Sequence, residues 1–459
     1  MATRKRTRPS SRQKVQQPSA KRKPVPDEEI LSDEVDSEPE VEQDEDSSTE
    51  ESDHENETAE ERRLRLARAY LRHVGISEDA AASDDEDNSD EEDVGAGNQL
   101  LREQALKAQS KSFTHIADKL STVLDKVTIN KCKGHVLSPT CIALSTYEDA
   151  TAVSGGKDAR LIVWDVETGK RRHVFKPEVG VASKKNPVTA NGHIGNILSV
   201  AITDDANTAV SGGKDGLIRV WDIRAGKLTD TLRGHRGAVT GLAFRSGSRQ
   251  LFSASEDRTV KIWDINDMAY VETLFGHGGD VNAVSSMSME RALSCGRDGT
   301  LRLYKIVEES QLVFRNTSTI SLDSIAMLSE HRFVSGGDDG TVCLWQMNKK
   351  KPLSTISNAH GSGLGCDTWI SAMAAFRSTD LVVSGAGDGM LRFWKCEDVP
   401  KLKSVGSLNV GPGFVNGIAV GHHHRIIATA IGTEHRLGRW ASVKKAKNSV
   451  QFISLPHIE

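Results

Sequence analysis

Beyond about residue 150 the chain repeatedly alternates apolar and variable positions in short runs that end on an aromatic residue. The runs are Leu161-Ile162-Val163-Trp164, Ile218-Arg219-Val220-Trp221, Val260-Lys261-Ile262-Trp263, Leu301-Arg302-Leu303-Tyr304, Val342-Cys343-Leu344-Trp345 and Leu391-Arg392-Phe393-Trp394. Side chains two apart share one face of an extended chain, so each run predicts a β-strand with one face buried. Ahead of each run stands a small-residue segment and a polar turn, as in Ser211, Gly212 and Gly213 followed by Lys214, Asp215 and Gly216. Asp and Gly at that place supply the tight turn that joins two antiparallel strands.

Aligned on the aromatic residue, the units are SGGKDARLIVWD ending at Asp165, SGGKDGLIRVWD at Asp222, SASEDRTVKIWD at Asp264, SCGRDGTLRLYK at Lys305, SGGDDGTVCLWQ at Gln346 and SGAGDGMLRFWK at Lys395. A distorted seventh, ATAIGTEHRLGRW, ends at Trp440. The aromatic positions 164, 221, 263, 304, 345, 394 and 440 lie 57, 42, 41, 41, 49 and 46 residues apart. A period near 40 to 45 residues is that of a WD40 propeller blade.

Gly-His pairs precede most units, at Gly134-His135, Gly192-His193, Gly234-His235 and Gly276-His277, with Ala359-His360 in the sixth and none in the fifth. This motif set resembles the WD-repeat family from about residue 126 to 456, and the expected fold is an all-β, seven-bladed propeller. In that family the His, Ser, turn Asp and Trp of a blade form a buried hydrogen-bonded chain. The resemblance implies four such chains: His135, Ser154, Asp158 and Trp164; His193, Ser211, Asp215 and Trp221; His235, Ser253, Asp257 and Trp263; His360, Ser384, Asp388 and Trp394. Ser, His and Asp together also suggest a nucleophilic triad, but their recurrence in blade after blade argues for a structural brace that satisfies buried polar groups.

Composition divides the chain. Residues 1–26 carry nine Lys/Arg and no acid, residues 27–94 carry 29 Asp/Glu against five Arg, and the remainder holds a net charge of +10 within an overall -5. A hydrophobic content of 37% is low for a fully folded chain of 459 residues, so residues 1–125 are expected to be a largely disordered region with short helices, and 126–459 the propeller. Within that region the basic stretch spans 1–26, acidic stretches span 27–57 and 78–93, and helices are predicted at 58–74 and 98–124. The segment 58–74 places Leu64, Leu66, Ala67, Tyr70, Leu71 and Val74 at helical spacing, and a helix with such an apolar face is expected to dock on a partner. Two basic clusters, Arg4, Lys5 and Arg6, then Lys21, Arg22 and Lys23, have the form of a bipartite nuclear import signal. Ser37, Ser47, Ser48 and Ser52 each precede a Glu by three residues, a spacing suited to an acid-directed kinase.

No run of about 18 apolar residues predicts a membrane span, and a basic start without an apolar core is no secretory signal. The six cysteines lack paired metal-ligand spacing, so no metal and no cofactor are expected, and most fall in blade strands, as in a reducing compartment. Without a Gly-rich phosphate loop or an unrepeated acid-base pair, an enzyme is not expected.

Three irregularities remain. The 57-residue gap is assigned to an insertion over 171–190, with the basic residues Lys170, Arg171, Arg172, Lys176, Lys184 and Lys185. A second insertion near 361–368 brings Trp369. In the seventh unit Gly438 and Arg439 stand where the others alternate, which predicts a β-bulge that turns Arg439 outward. His435, Arg436 and Arg439 would then cluster with Lys444, Lys445 and Lys447 as a candidate phosphate-binding edge. Val127, Thr128 and Ile129 read as the outer strand of the last blade, with the tail strand 449–455 competing for that slot.

Several strings are not generic to such repeats: LRLARAYL (64–71), GLAFR (241–245), YVETLFGH (270–277), EESQLVF (308–314) and EHRLGRW (434–440). On these the chain resembles the WD-repeat proteins associated with U3 small nucleolar RNA. The resemblance implies binding to U3 RNA at its B/C motif beside a small kink-turn-binding protein, residence in the nucleolus of the nucleus, and a role in processing the small-subunit ribosomal RNA precursor. It also implies a bulge in the seventh blade needed for U3 association, which maps to 432–440. The protein is expected to act as a monomer inside a larger particle, with base stacking contributing little because aromatics are scarce. Two alternatives stand beside this: a substrate receptor of a cullin ubiquitin ligase, suggested by Trp221, Asp222, Ile223 and Arg224 as a WDxR string, and a nuclear adaptor for histones or peptides.

Overall fold

A computed structural model describes residues 114–456, apart from 146–149, 178–191, 316–320, 362–367, 398–400 and 422–425. The described strands form seven four-stranded antiparallel sheets. Each sheet is a blade of a propeller, and its strands are lettered a to d outward from the central channel. Blade 1 shows the local logic. Its strands are Pro139–Leu144, Thr151–Gly156, Leu161–Asp165 and Arg171–Phe175; the first three are almost wholly buried, and the last is exposed at its start and half-buried after that. Small residues at Ser154, Gly155 and Gly156 let the second strand lie close to the neighbouring blade: a Cβ at Gly155 would meet Ile197 of blade 2 at 2.5 Å.

Blade 1 is followed by blades 2 to 6, each supplying its four strands in sequence order. The turn between strands b and c needs a left-handed residue. Gly fills it at Gly216, Gly299, Gly340 and Gly389, whereas blades 1 and 3 place Ala159 (φ 56°) and Arg258 (φ 69°) there. The core is divided among seven apolar clusters, one at each blade-to-blade interface. Apolar burial thus ties each blade to both neighbours, which favours the closed ring.

Blade 7 corrects the sequence reading. Its strands are Phe414–Val420, Ile426–Gly432, Ser449–Ser454 and, from the other end of the described chain, Thr128–Cys132. The two candidates for the outer slot do not compete. Ser449–Ser454 is strand c and Thr128–Cys132 is strand d, paired antiparallel from Thr128 with Ser454 to Cys132 with Val450. Residues 434–440 are therefore not strand c, and no β-bulge exists at Gly438 or Arg439. The register shows why the alignment on Trp440 fails: Ile427 faces Ile453 as Ala152 faces Trp164 in blade 1. An isoleucine occupies the aromatic position, and Thr429 takes the place of the brace serine. With no indole N–H to receive, the buried Thr429 hydroxyl lacks a protein partner.

The helix expected over 98–124 lies outside the described residues up to 113, and over the rest the chain forms a strap. Thr114, His115 and Ile116 are not helical; a helix, α1, covers Ala117–Val123, and a 3-10 turn covers Leu124–Lys126. Ala117 and Leu120 are fully buried in the cluster between blades 6 and 7. Asp380 of blade 6 caps the strap from outside, its Oδ1 accepting the Ile116 and Ala117 backbone N–H groups at 2.8 and 3.1 Å. The insertion after blade 1 also starts later than the spacing suggests, because Arg171–Phe175 is strand d. Lys184 and Lys185, the import clusters and the segment 58–74 lie outside the described residues.

Candidate nucleic-acid interface

The His, Ser, Asp and Trp residues come together within their blades. His135 Nε2 lies 2.8 Å from Ser154 Oγ, its Nδ1 lies 3.1 Å from Asp158, and the Trp164 indole N–H donates to Ser154 Oγ at 2.7 Å. The same links join His193, Ser211, Asp215 and Trp221 at 2.7 to 3.3 Å, His235, Ser253, Asp257 and Trp263 at 2.7 to 2.8 Å, and His360, Ser384, Asp388 and Trp394 at 2.8 to 3.0 Å. A serine that receives the indole N–H has its own hydrogen left for His Nε2, which directs the Nδ1 hydrogen to the carboxylate. Burial alone would raise the Asp158, Asp215, Asp257 and Asp298 carboxyls, but the histidine hydrogen bonds and charges, together with donors such as the Arg219 guanidinium, the Thr259 and Thr300 hydroxyls and nearby backbone N–H groups, outweigh it and hold all four below the usual carboxylate range. Every group has a partner inside its own blade, so these residues stiffen the ring and leave no reactive nucleophile. Blade 4 builds a similar link from His277, Ser294 and Asp298, and blade 5 keeps only Trp345 to Ser335 at 2.9 Å.

The feature that departs from the repeat is the connection from strand b to strand c of blade 7, which runs over 433–448. Its base is closed by Asn448, whose Oδ1 accepts the Thr433 N–H at 3.0 Å, and by Ser138 of blade 1, whose Oγ accepts the Glu434 N–H at 3.1 Å. Glu434 and Ser442 form an isolated antiparallel bridge. Lys157, in the b–c turn of blade 1, reaches beneath the loop with its side chain almost fully buried. Its Nζ donates to Glu434 Oε2 at 2.9 Å and to the Gly438 carbonyl at 2.7 Å. Burial lowers the Lys157 pKa, against the pull of Glu434.

The six candidate phosphate-binding residues divide into two groups. His435 and Arg436 point inward. His435 is fully buried, stacked on Trp369 at 4.8 Å between centroids and edge-on to Phe414 at 6.0 Å. Burial, with the nearby Arg436 and Lys157 charges, pushes its imidazole down to about 3, so it is neutral. Arg436 lies across the top of the channel and donates from Nη2 to the carbonyls of Asn282 in blade 4 and Asp323 in blade 5, at 3.0 and 2.9 Å. Burial raises the Asp323 carboxyl and Arg436 opposes that rise. The single cationic edge expected from the sequence therefore loses these two members, because the loop is anchored with its first half turned into the ring.

Arg439, Lys444, Lys445 and Lys447 face solvent. Arg439 is 3.5 Å from Glu434 with its side chain 67% exposed, and among the described residues no carboxylate pairs with the three lysines. Trp440, read from the sequence as the packed aromatic of a strand, is instead 61% exposed on the same loop. Lys157, Asn448 and Trp369 complete the loop's support. The sequence carries no sign of this, because Lys157 and Trp369 come from turns of other blades. Arg224 is exposed in the turn after strand c of blade 2.

The WD domain, G-beta repeat family matches residues 185–222, 226–264, 268–305 and 312–346. The U3 small nucleolar RNA-interacting protein 2 of Mus musculus is 37% identical over 405 residues, which covers 87% of this chain and 82% of that protein. Ribosomal RNA-processing protein 9 of Saccharomyces cerevisiae is 28% identical, covering 93% and 95%. The solved structure of U3-55K superposes with a TM-score of 0.66 at 40% identity, covering 71% of this chain and 98% of that one. With seven closed blades, their internal braces and relatives of this identity across nearly the whole length, the chain belongs to the family of WD-repeat proteins associated with the U3 small nucleolar ribonucleoprotein.

Proposed function

We propose that this protein is a non-catalytic scaffold that binds U3 small nucleolar RNA within its ribonucleoprotein, as a monomer in that particle. There it serves the processing of the small-subunit ribosomal RNA precursor in the nucleolus, beside a small protein that recognises the kink-turn at the B/C motif. The observation that carries this reading is the 433–448 loop, which holds four solvent-facing cations, Arg439, Lys444, Lys445 and Lys447, on a base tied down by Lys157 and Asn448. Exposed cations on a fixed backbone neutralise phosphates and release counterions, which gives affinity without chemistry. The names of the relatives supply the RNA: the mouse protein is a U3 small nucleolar RNA-interacting protein and the yeast one a ribosomal RNA-processing protein.

A gel-shift titration of U3 RNA tests this. Replacing Arg439, Lys444, Lys445 and Lys447 together with Ala is expected to weaken binding and to flatten the dependence of log affinity on log salt by about 0.7 to 0.9 for each lost phosphate contact. Equal affinity and equal salt slope in the two proteins would reject the loop as the RNA contact. The cullin-receptor alternative predicts that Arg224→Ala abolishes a protein contact while RNA binding is unaffected. The family assignment favours the RNA reading.

A further inference from the structure

The same loop carries a second, uncharged feature. Three rings gather at the channel mouth: Trp369 stacks on His435 at 4.8 Å, and Trp440 sits 5.9 Å from His435 and 6.1 Å from Trp369. His435 is fully buried, whereas Trp440 is 61% exposed. The benzene part of the Trp440 indole lies on Gly438, where an added Cβ would fall 1.7 Å from a ring carbon. Lys157 fixes that glycine by its carbonyl at 2.7 Å. The tryptophan is thus held in place from below, with much of its surface in water. His435 is neutral, its imidazole pushed down to about 3 by burial and by Arg436 and Lys157, so the rings beneath add no charge. Arg439 flanks the indole in sequence, and the exposed Lys444, Lys445 and Lys447 share its loop.

A large aromatic face left exposed on a rigid support, on a loop that also carries exposed cations, is what a base and its phosphate require together. Stacking holds the base and the cations hold the backbone. An apolar peptide would match the ring but would leave the loop's cations without counter-charge.

We infer that Trp440 is a stacking platform for one unpaired nucleotide of the bound RNA, with Arg439 and the lysines of 444–447 on the adjoining phosphates. This rests on the RNA-scaffold reading and gives that site a contact that a purely electrostatic clamp lacks. The nucleotide is a base free of Watson–Crick pairing, because only an unstacked base can offer its face to a side chain. The scarcity of aromatics in the sequence is no obstacle, since one fixed ring suffices for one base.

The test uses the full-length chain and U3 RNA transcripts. Trp440→Ala is expected to weaken binding about 5- to 150-fold, the range for loss of one base-aromatic stack, with the salt slope unchanged. Trp440→Phe should recover most of the loss. A scan of U3 transcripts, each with one abasic nucleotide in an unpaired region, should find one position that weakens the wild-type protein but adds nothing to Trp440→Ala. A purely structural role for the ring would not single out one base. Wild-type binding with Trp440→Ala at equal affinity overturns the inference while leaving the scaffold reading in place, and so does a loss confined to a protein partner of the particle. If the wild-type chain binds U3 RNA no better than an unrelated transcript, the scaffold reading falls and this inference with it.

Discussion

The Arg436 guanidinium of blade 7 donates to the main-chain carbonyl of Asp323 in blade 5 at 2.9 Å, across the top of the channel. The same nitrogen reaches Asn282 of blade 4 at 3.0 Å. An arginine that the sequence places among phosphate ligands is thereby a cross-brace of the ring, and only its neighbours on the loop are left to face a ligand.

Arg436→Ala should therefore be a stability variant. Charge-assisted hydrogen bonds contribute about 1.5 to 3 kcal/mol each, and the substitution strands two buried carbonyls. A loss of about 3 kcal/mol is expected in urea unfolding of the described domain. A midpoint equal to wild type, accompanied by weaker RNA binding, would put Arg436 on the ligand side after all.

His435 predicts an acid sensitivity. Its imidazole titrates at about 3 in the folded chain, against 6.5 for an unperturbed group. The folded value lies below the unfolded one, so the unfolded chain takes up the proton first. The neutral, stacked imidazole is without penalty above pH 6.5, and stability is lost as pH falls from there toward 3, by about 3 kcal/mol at pH 4. His435→Phe, which keeps a ring on Trp369 and cannot protonate, should flatten the curve between pH 6.5 and 4. Parallel pH profiles for variant and wild type would contradict this.

The strap depends on Asp380. Its Oδ1 accepts two backbone N–H groups, at Ile116 and Ala117, so Asp380→Ala removes the acceptor of both bonds. A cost of about 1 to 2 kcal/mol is expected. It should appear as faster hydrogen exchange over α1, with the blade strands unchanged. Equal protection of 117–123 in both proteins would mean that Ala117 and Leu120 hold the strap by burial alone.

Gly438 sets the position of Trp440. Its main chain is so close to the indole that any side chain must displace the ring. Gly438→Ala should shift the Trp440 emission maximum, read as a difference spectrum in which the signals of the other six tryptophans are subtracted using Trp440→Phe. An unshifted difference spectrum would show that the ring moves freely.

Much of the fold is legible in the chain because its signals are local. Six strands that end on Trp or Tyr, the Asp-Gly turns ahead of them and the His residues at fixed offsets recur at a nearly constant period, and each requires contacts only within one blade. The last unit defeats that reading. Trp440 continues the apparent period while Ile453 fills the aromatic place, and a period cannot distinguish an aromatic that packs from one that is carried past the strand on a long connection. The candidate site is half legible for a related reason. Composition identifies 435–447 as cationic, yet the direction of each side chain depends on Lys157, Ser138 and Asn282, which lie far away in sequence.

By itself the sequence determined the strands and turns of six sheets and their order, since strand periodicity and turn chemistry act over a few residues, and the resemblance to WD-repeat proteins added the seventh sheet and the polar brace as expectations. The tertiary structure alone decided that Thr128–Cys132 completes the last blade beside Ser449–Ser454, that Arg436 turns into the channel, and that Trp440 stands in water. Those outcomes depend on which distant groups come together when the ring closes, and closure between segments more than 300 residues apart leaves no local pattern to read.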